Sequence, residues 1–524
     1  MWRRYLLWFA HEHIDFRNAE MQSILTLLNI PVRYIEEPCI QKPYWIVELP
    51  SENCAKEIAS RSVLLKNCIE LWSKAKTEAQ LHRNLRGSLL NNTRKWMTEG
   101  NTLNEGTIDH HICPKELIEL CCSVKKSFKV EVETFCKHFT MKEKIEKIEG
   151  NFISLFFFNV HIKILTKYIE NGIYCLYYCS LKFYNPFNNL NGPVKLNNPD
   201  IKLCYLEFYG VDPNNVPDDP HDLFYGKWVA DGQRDLIQIH SLKKRQFIGN
   251  TSMDAQLALI MANQAQVKPG DIVLDPFVGS GSLLVSAAHF GAYVWGSDID
   301  FMMLHGRTRP TRVGQKVRKE EESIRNNMRQ YGSESKYLDV LVSDFSLPLW
   351  KDNFKLDAII TDPPYGVREP TEKIGIERDN YSLTEKHLEN HIPAKVEYDI
   401  SHMYGDLLNF AARRLAVGRR LVCWYPLVRE EYKVELLPSH PCLRLVSNSE
   451  QVLSKLTSRR LLTYEKVCDE GTNVSVDGTY GGQNFREKYF SVGEVTRRER
   501  KEKIAEQIAA NMAARTAKLK SYFT

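Results

Sequence analysis

Thr361-Asp362-Pro363-Pro364-Tyr365-Gly366 holds the residue types needed for a transfer reaction on a planar amine. The apolar run Leu356 to Ile360 precedes it and reads as a buried strand. At the carboxyl end of such a strand, the Asp362 carboxylate and the Pro363 carbonyl can both accept hydrogens from one NH2 group. The paired prolines fix backbone angles and remove two N–H groups, so that carbonyl can be held rigidly. Tyr365 can stack on the ring that carries the amine. Hydrogen bonds of this kind favour a pyramidal nitrogen aimed at an incoming methyl group, and Asp362 can take the proton as it is lost. The plainer reading is a polar loop with a Pro-Pro turn.

A second element lies upstream. Asp271-Ile272-Val273-Leu274-Asp275 predicts a strand, Pro276 to Ser282 a turn containing Gly279 and Gly281, and Leu283 to Phe290 an apolar helix. Strand, glycine turn and helix bring backbone amides close to a ligand, and the two glycines carry no side chain to block that approach. The turn lacks the third glycine of the dinucleotide pattern and the Gly-Lys-Ser/Thr of a P-loop, which weakens NAD and ATP readings. A second strand, Ala292 to Asp300, contains Asp298, 19 positions beyond Gly279. That is the spacing at which a carboxylate binds ribose hydroxyls. Asp300 is a rival for the role, and a solvated pair of loop acids is the alternative. Leu338 to Phe345 predicts a third strand and Asp344, which can accept the exocyclic amine of adenine. With Asp362, four acids after four successive strands describe a ligand crevice at the strands' carboxyl ends.

The elements that position these residues belong to an α/β region from Gln238 onward, where strand-like and helix-like segments alternate. The 524-residue length allows about three domains. Residues 1–90 mix strands such as Tyr44 to Leu49 with helices such as Phe16 to Leu28 and read as a small α+β module. Residues 91–222 form a second segment, with strands at Phe128 to Glu133 and Ile201 to Phe208 and a short charged stretch at Lys142 to Ile148. Its aromatic run, Asn151 to Tyr178, reads as core packing ahead of a base-stacking surface. Phe183 to Pro199 reads as loop, and Pro213 to Pro220 as the linker into an α/β domain spanning 223–470. A basic, helix-prone tail occupies 471–524.

The net charge of +5 permits nucleic-acid binding without demanding it. No apolar segment is long enough to span a bilayer, and the apolar start, Tyr5 to Ala10, is too short for a signal peptide and reads as a buried strand. Thirteen cysteines, with Cys121-Cys122 and Cys175/Cys179 the close pairs, show no zinc-ligand spacing. Structural thiols, a reducing compartment and a cytoplasmic location are expected, and no metal ligands.

Asp275 to Gly281 taken with Thr361 to Gly366 resembles the class I S-adenosylmethionine-dependent methyltransferases, and more narrowly the tRNA guanine-N2 methyltransferases. Within these the chain resembles the catalytic subunit of the guanosine-10 enzymes. Lys244 to Asn263 is similar to the segment before the first catalytic strand in that family. Phe128 to Glu133 and Val194 to Asp200 resemble its THUMP domain, which follows a ferredoxin-like module. The resemblance spans roughly residues 1–465 and implies a Rossmann-like α/β methyltransferase domain preceded by a tRNA-binding half. It implies S-adenosylmethionine bound by Thr251, Asp275, Phe277, Gly279, Gly281, Asp298, Asp344 and Asp362, with Asp362, Pro363 and Tyr365 catalytic. It also implies a heterodimer with a small zinc-binding activator, and the strand at Leu338, expected at a sheet edge, is open to pairing. The family's double glycine before the strand at Leu421 is Gly418-Arg419-Arg420 here, where a turn is still expected, and Thr371 to Asp399 is a polar insertion.

Arg307 to Lys319 is a basic run expected to contact phosphates or to be a solvated face, and Arg497 to Lys520 reads equally as an RNA contact or as a loosely attached helix. An adenine-N6 or cytosine-N4 DNA methyltransferase shares the Asp-Pro-Pro-Tyr motif, but the large N-terminal RNA-type module argues against it. Glutamine methyltransferases favour Asn at the Asp362 position. A noncatalytic RNA-binding scaffold conflicts with intact Asp275, Asp298, Asp362 and Tyr365.

Overall fold

The computed structural model describes residues 2–81, 84, 126–156, 164–165, 178–179, 193–312, 314–351, 353–376, 392–469, 480 and 485–491. The chain divides into two compact units, 1–239 and 240–524.

The first unit is built on a seven-stranded sheet. Its strands are β1 (Arg3–Phe9), β2 (Arg33–Tyr34), β3 (Tyr44–Leu49), β4 (Leu65–Ala75), β5 (Phe128–Phe135), β8 (Ile201–Phe208) and β9 (Asp222–Asp231), in the order β2-β3-β1-β4-β9-β8-β5. β6 (Ile164–Leu165) and β7 (Tyr178–Cys179) pair separately. Alternating apolar residues put Leu6, Trp8, Ile46, Ile69, Leu206 and Phe224 into one buried cluster. Ser51 starts the helix Glu52–Ala59 by accepting from the Cys54 N–H. The buried Glu20 carboxylate is satisfied by Ser62 Oγ at 2.7 Å and the Val63 N–H at 3.0 Å.

This sheet runs across the expected divisions at 90 and 222. β4 pairs antiparallel with β9, from Asn67↔Asp231 to Ala75↔Leu223, so the two presumed N-terminal domains share one hydrogen-bonded sheet. Pro213 to Pro220 is the loop of the β8–β9 hairpin rather than a linker. Hairpin loops and linkers both favour Pro, Asp and Asn, so composition alone does not separate them. Lys142 to Ile148 lies within the helix Met141–Phe156. The aromatic run beyond it lies outside the described residues except at β6 and β7, as do Cys121, Cys122 and Cys175.

The second unit carries a sheet in the order β12-β11-β10-β13-β16-β18-β17. Its strands are β10 (Ile272–Asp275), β11 (Tyr293–Asp298), β12 (Tyr337–Val342), β13 (Leu356–Thr361), β16 (Leu415–Val428), β17 (Leu443–Val452) and β18 (Thr457–Lys466). The first five in this order are parallel, and β18 runs antiparallel to both β16 and β17. The strand order reverses between β10 and β13, which opens a crevice at their carboxyl ends. The insertion at 371–399 contributes a small hairpin, β14 (Glu372–Ile374) with β15 (Lys395–Glu397), and its residues 377–391 lie outside those described.

The turn expected at Gly418 forms as a bulge inside β16. Gly418 has φ +80°, and pairing jumps from Leu356↔Leu415 to Ala358↔Arg420. The two arginines that replace the second glycine are held by acids: Arg419 pairs with Asp357 at 2.9 Å and Arg420 with Glu465 at 3.2 Å. β12 lies at the sheet edge as expected. The tail is not separate from the domain at its start, because Tyr480 and Phe485 are buried and the Ser401 hydroxyl donates to the Tyr480 carbonyl. Arg497 to Lys520 lies outside the described residues.

At Gly226 in β9 an added Cβ would stand 2.1 Å from the Glu70 carbonyl oxygen of β4. Gly226→Ala is expected to destabilise the first unit by about 3 kcal/mol through overpacking. Limited proteolysis and thermal melting check this, and a melting temperature equal to that of the wild type would contradict the shared sheet.

Candidate active site

A cavity of about 560 Å³ lies where β10, β11 and β13 end. Asp275 closes β10, Asp298 closes β11, and Asp362-Pro363-Pro364-Tyr365 follows β13. The short polar segments after parallel strands put these side chains on one rim. Of the sequence-predicted residues, Thr251, Asp275, Phe277, Gly279, Asp298, Asp300, Asp362, Pro363 and Tyr365 line the cavity.

Two of the predicted residues do not. Gly281 sits at φ +78° with the Ile324 side chain 2.7 Å from where a Cβ would be, so its role is to start the helix Ser282–His289 against that neighbour. Asp344 is buried and turned into its own loop. Its Oδ1 accepts from the Ser346 N–H and hydroxyl, and its Oδ2 from the Ile374 N–H at 2.9 Å.

The glycine turn is fixed from below. Asp298 Oδ2 accepts from the Gly279 N–H at 2.9 Å, and its Oδ1 from the Asp300 N–H at 2.9 Å. Asp300 in turn accepts from the Met303 N–H. Gly279 has φ +49°, and a Cβ there would meet nothing within 4 Å. It therefore borders open space in a conformation that favours glycine. Asp275 Oδ1 accepts from Thr361 Oγ1 at 2.7 Å and from the Phe277 N–H at 3.1 Å, tying β10 to β13. Burial pushes the Asp275 carboxyl up to about 8, against the pull of those two donors. Burial also raises Asp298, opposed by its two backbone donors, and raises Glu369, with Asp300 and Asp298 adding to the effect. Acids outnumber bases around the cavity, where Arg368, Lys395 and Arg459 are the basic lining residues.

At the Asp362 end, both carboxylate oxygens are engaged. The Tyr365 hydroxyl donates to Oδ1, and Arg459 Nη1 donates to Oδ2 at 3.1 Å. Burial raises the Asp362 carboxyl, while Arg459 and Tyr365 work against it. Tyr365 meets Phe485 edge-on, with centroids 5.9 Å apart. Gln451, Leu453, Phe485 and Tyr489 complete this wall with Arg459.

None of those last five residues was found from sequence. An arginine doublet, Arg459-Arg460, inside an otherwise largely buried strand is the available signal. The two arginines face opposite sides of β18, and Arg460 binds Asn448 Oδ1 at 2.9 Å. The basic run behaves differently from its expectation in part. Arg312 donates to the Leu242, Lys243 and Arg245 carbonyls, and Arg318 to Glu322 and the Thr308 carbonyl, so these two hold the loop together. Arg307, Arg309, Lys316 and Lys319 remain exposed.

Asp275 yields a prediction with a defined sign. Its folded-state pKa lies above the ordinary value, so ionising it costs stability as pH rises from about 4 toward 8. Asn at this position can accept the same two bonds. Asp275→Asn should melt higher than the wild type at pH 8, with the gain fading by pH 5; a gain equal at both values would show that Asp275 is not held neutral.

The family profile described as "Tmrp11 THUMP N-terminal domain" matches residues 3–104, and that described as "RMKL-like, methyltransferase domain" matches residues 243–394. The chain is 42% identical over 498 residues to the tRNA (guanine(10)-N(2))-methyltransferase TRMT11 of Gallus gallus, covering 93% of this chain and 95% of that one. It is 42% identical to the Homo sapiens protein of the same name, covering 96% and 98%. Among solved structures, TrmN from Thermus thermophilus is similar over 88% of this chain and 100% of that chain, at 16% identity and a TM-score of 0.37.

Proposed function

Because the chain belongs to the tRNA (guanine(10)-N(2))-methyltransferase family, we propose that its cavity transfers a methyl group from S-adenosylmethionine to the exocyclic N2 of guanosine 10 in tRNA. The observation that carries this reading is the meeting, in one cavity, of the acid-lined glycine turn with Asp362-Pro363-Pro364-Tyr365.

The residues present fit the methyl donor. Gly279 borders open space without a side chain, and the surplus of acids suits a cation with ribose hydroxyls. When bound, S-adenosylmethionine supplies a methyl group already activated on a sulfonium. Thr251, Asp275, Phe277 and Gly279 would hold it, with Asp298 and Asp300 the carboxylates for its ribose. Asp344 lies outside the cavity lining, and its oxygens accept from Ser346 and Ile374.

At the other end, Asp362 and the Pro363 carbonyl would accept the two N2 hydrogens and orient the nitrogen. Asp362 takes the N2 proton as the nitrogen's lone pair is committed to the new bond. Tyr365 would stack on the guanine once it is swung out of its helix. A second reading, methylation of an adenine or cytosine amine, uses the same motif, and the THUMP-type N-terminal match favours tRNA guanine.

A partner belongs to this reading. β12 pairs with β11 along one side, and among the described residues no strand covers its other side. Leu338 and Leu341 on β12 are 51% and 40% exposed, and Leu347 and Leu349, in the loop after it, are exposed as well. A small zinc-binding activator adding to this edge would cover it and give a heterodimer. Among the described residues no helix is long and apolar enough to cross a membrane, and a cytoplasmic location accords with the tRNA substrate.

Asp362→Ala should lower methyl transfer to tRNA by roughly 10²–10⁴-fold while tRNA binding persists. Turnover that survives the substitution would overturn the assignment of Asp362. Leu338→Asp with Leu341→Asp should abolish co-purification with a zinc-binding activator subunit. Soluble, fully active enzyme purified without any partner would refute the heterodimer.

A further inference from the structure

Asp362 is partly withdrawn from water, with 22% of its side chain exposed at the cavity, yet its proposed role needs a charged, correctly turned carboxylate. A carboxylate in such a place protonates unless a cation or several donors face it. Arg459 is that cation. It comes from β18, across the antiparallel pair Pro426↔Arg459, and reaches Asp362 Oδ2 at 3.1 Å and the Tyr365 hydroxyl at 3.3 Å.

The guanidinium is itself fixed on three further sides. Its Nε donates to Gln451 Oε1 at 2.8 Å, its Nη2 lies 3.8 Å from Met253 Sδ, and its centre stands 4.0 Å from the Trp424 ring centroid. Only 14% of the side chain is exposed. A cation meant to follow a phosphate backbone would be long, solvated and loosely held. This one is largely shielded and held on several sides, with its charge directed at one carboxylate oxygen.

We propose that Arg459 is a positioning residue of the methyl transfer, which holds Asp362 ionised through Oδ2 and leaves Oδ1 as the atom that receives the acceptor amine. Tyr365 marks the exchange. Its hydroxyl occupies Oδ1 in this structure, so the guanine amine must replace it there. Release of that bond frees the Tyr365 ring to move against the base, while Arg459 keeps its hold on the other oxygen. The inference rests on the assignment of Asp362 to the acceptor amine.

Two measurements on the full chain test it. The first needs no substrate. Arg459→Met, Arg459→Lys, Asp362→Asn and the Arg459→Met/Asp362→Asn pair are melted across a pH range of about 5.5 to 8.5. Without Arg459 the folded-state pKa of Asp362 rises further, so stability should fall as pH rises. The melting loss of Arg459→Met is therefore expected to grow with pH, to be relieved by adding Asp362→Asn, and to be smaller in Arg459→Lys. A loss independent of pH, or one that Asp362→Asn does not relieve, overturns the pairing.

The second is the single-turnover rate of tRNA methylation against pH, with the activator co-expressed. Arg459→Met should move the acid limb upward by about one pH unit or more with KM for tRNA nearly unchanged, and Arg459→Lys should restore it in part. An unmoved limb with a raised KM would make Arg459 an RNA contact and overturn the proposal. Should the wild-type chain transfer no methyl to guanosine, the functional assignment fails, while the melting series still decides whether Arg459 holds Asp362 charged.

Discussion

A carboxylate withdrawn from water at the end of a strand must be compensated, and the second unit is arranged around that requirement. Its acids meet it in different ways. Asp298 accepts two backbone N–H groups and so shapes the glycine turn. Asp275 takes a hydroxyl and a backbone N–H and shifts toward its neutral form. Asp362 alone among the three faces a guanidinium. The parallel strands bring these acids to one rim, but the antiparallel addition of β18 is what provides the charge opposite Asp362. The sheet's extension past β16 is thus part of the site rather than an appendage to it.

The parts of this arrangement that are local in the chain were legible in the sequence. Each predicted strand of the catalytic half, and each acid following it, is specified within about ten residues, where hydrophobic patterning and turn chemistry act. Arg459 was not legible, because it stands 97 residues from Asp362 and reaches it through the register of β16 with β18. Phe485 and Tyr489 were missed for the same reason: nothing near them in the chain shows that they return to the cavity. Asp344 shows the converse limit. It has the expected type and position, but the Ile374 N–H, delivered by the 371–399 insertion, already occupies the carboxylate.

Composition misled where two structures share it. The Pro- and Asp-rich stretch at 213–220 was read as a linker and is a hairpin loop, so β9 belongs to the first unit's sheet. The run Arg307 to Lys319 reads as a unit in sequence, yet Arg312 and Arg318 satisfy backbone carbonyls and an acid while Arg307, Arg309, Lys316 and Lys319 stay exposed. Burial and hydrogen-bond demand, not charge count, separate the arginines that build the loop from those available to a polyanion.

The amine that Asp362 and Pro363 would receive decides the chemistry of the cavity. The most direct test is methyl transfer from labelled S-adenosylmethionine to unmodified tRNA transcripts, with the label mapped by nucleoside and fragment analysis. The account predicts label in N2-methylguanosine at position 10, and none in a transcript carrying another base there. Label in an adenosine or cytidine, or at a different guanosine, would contradict it.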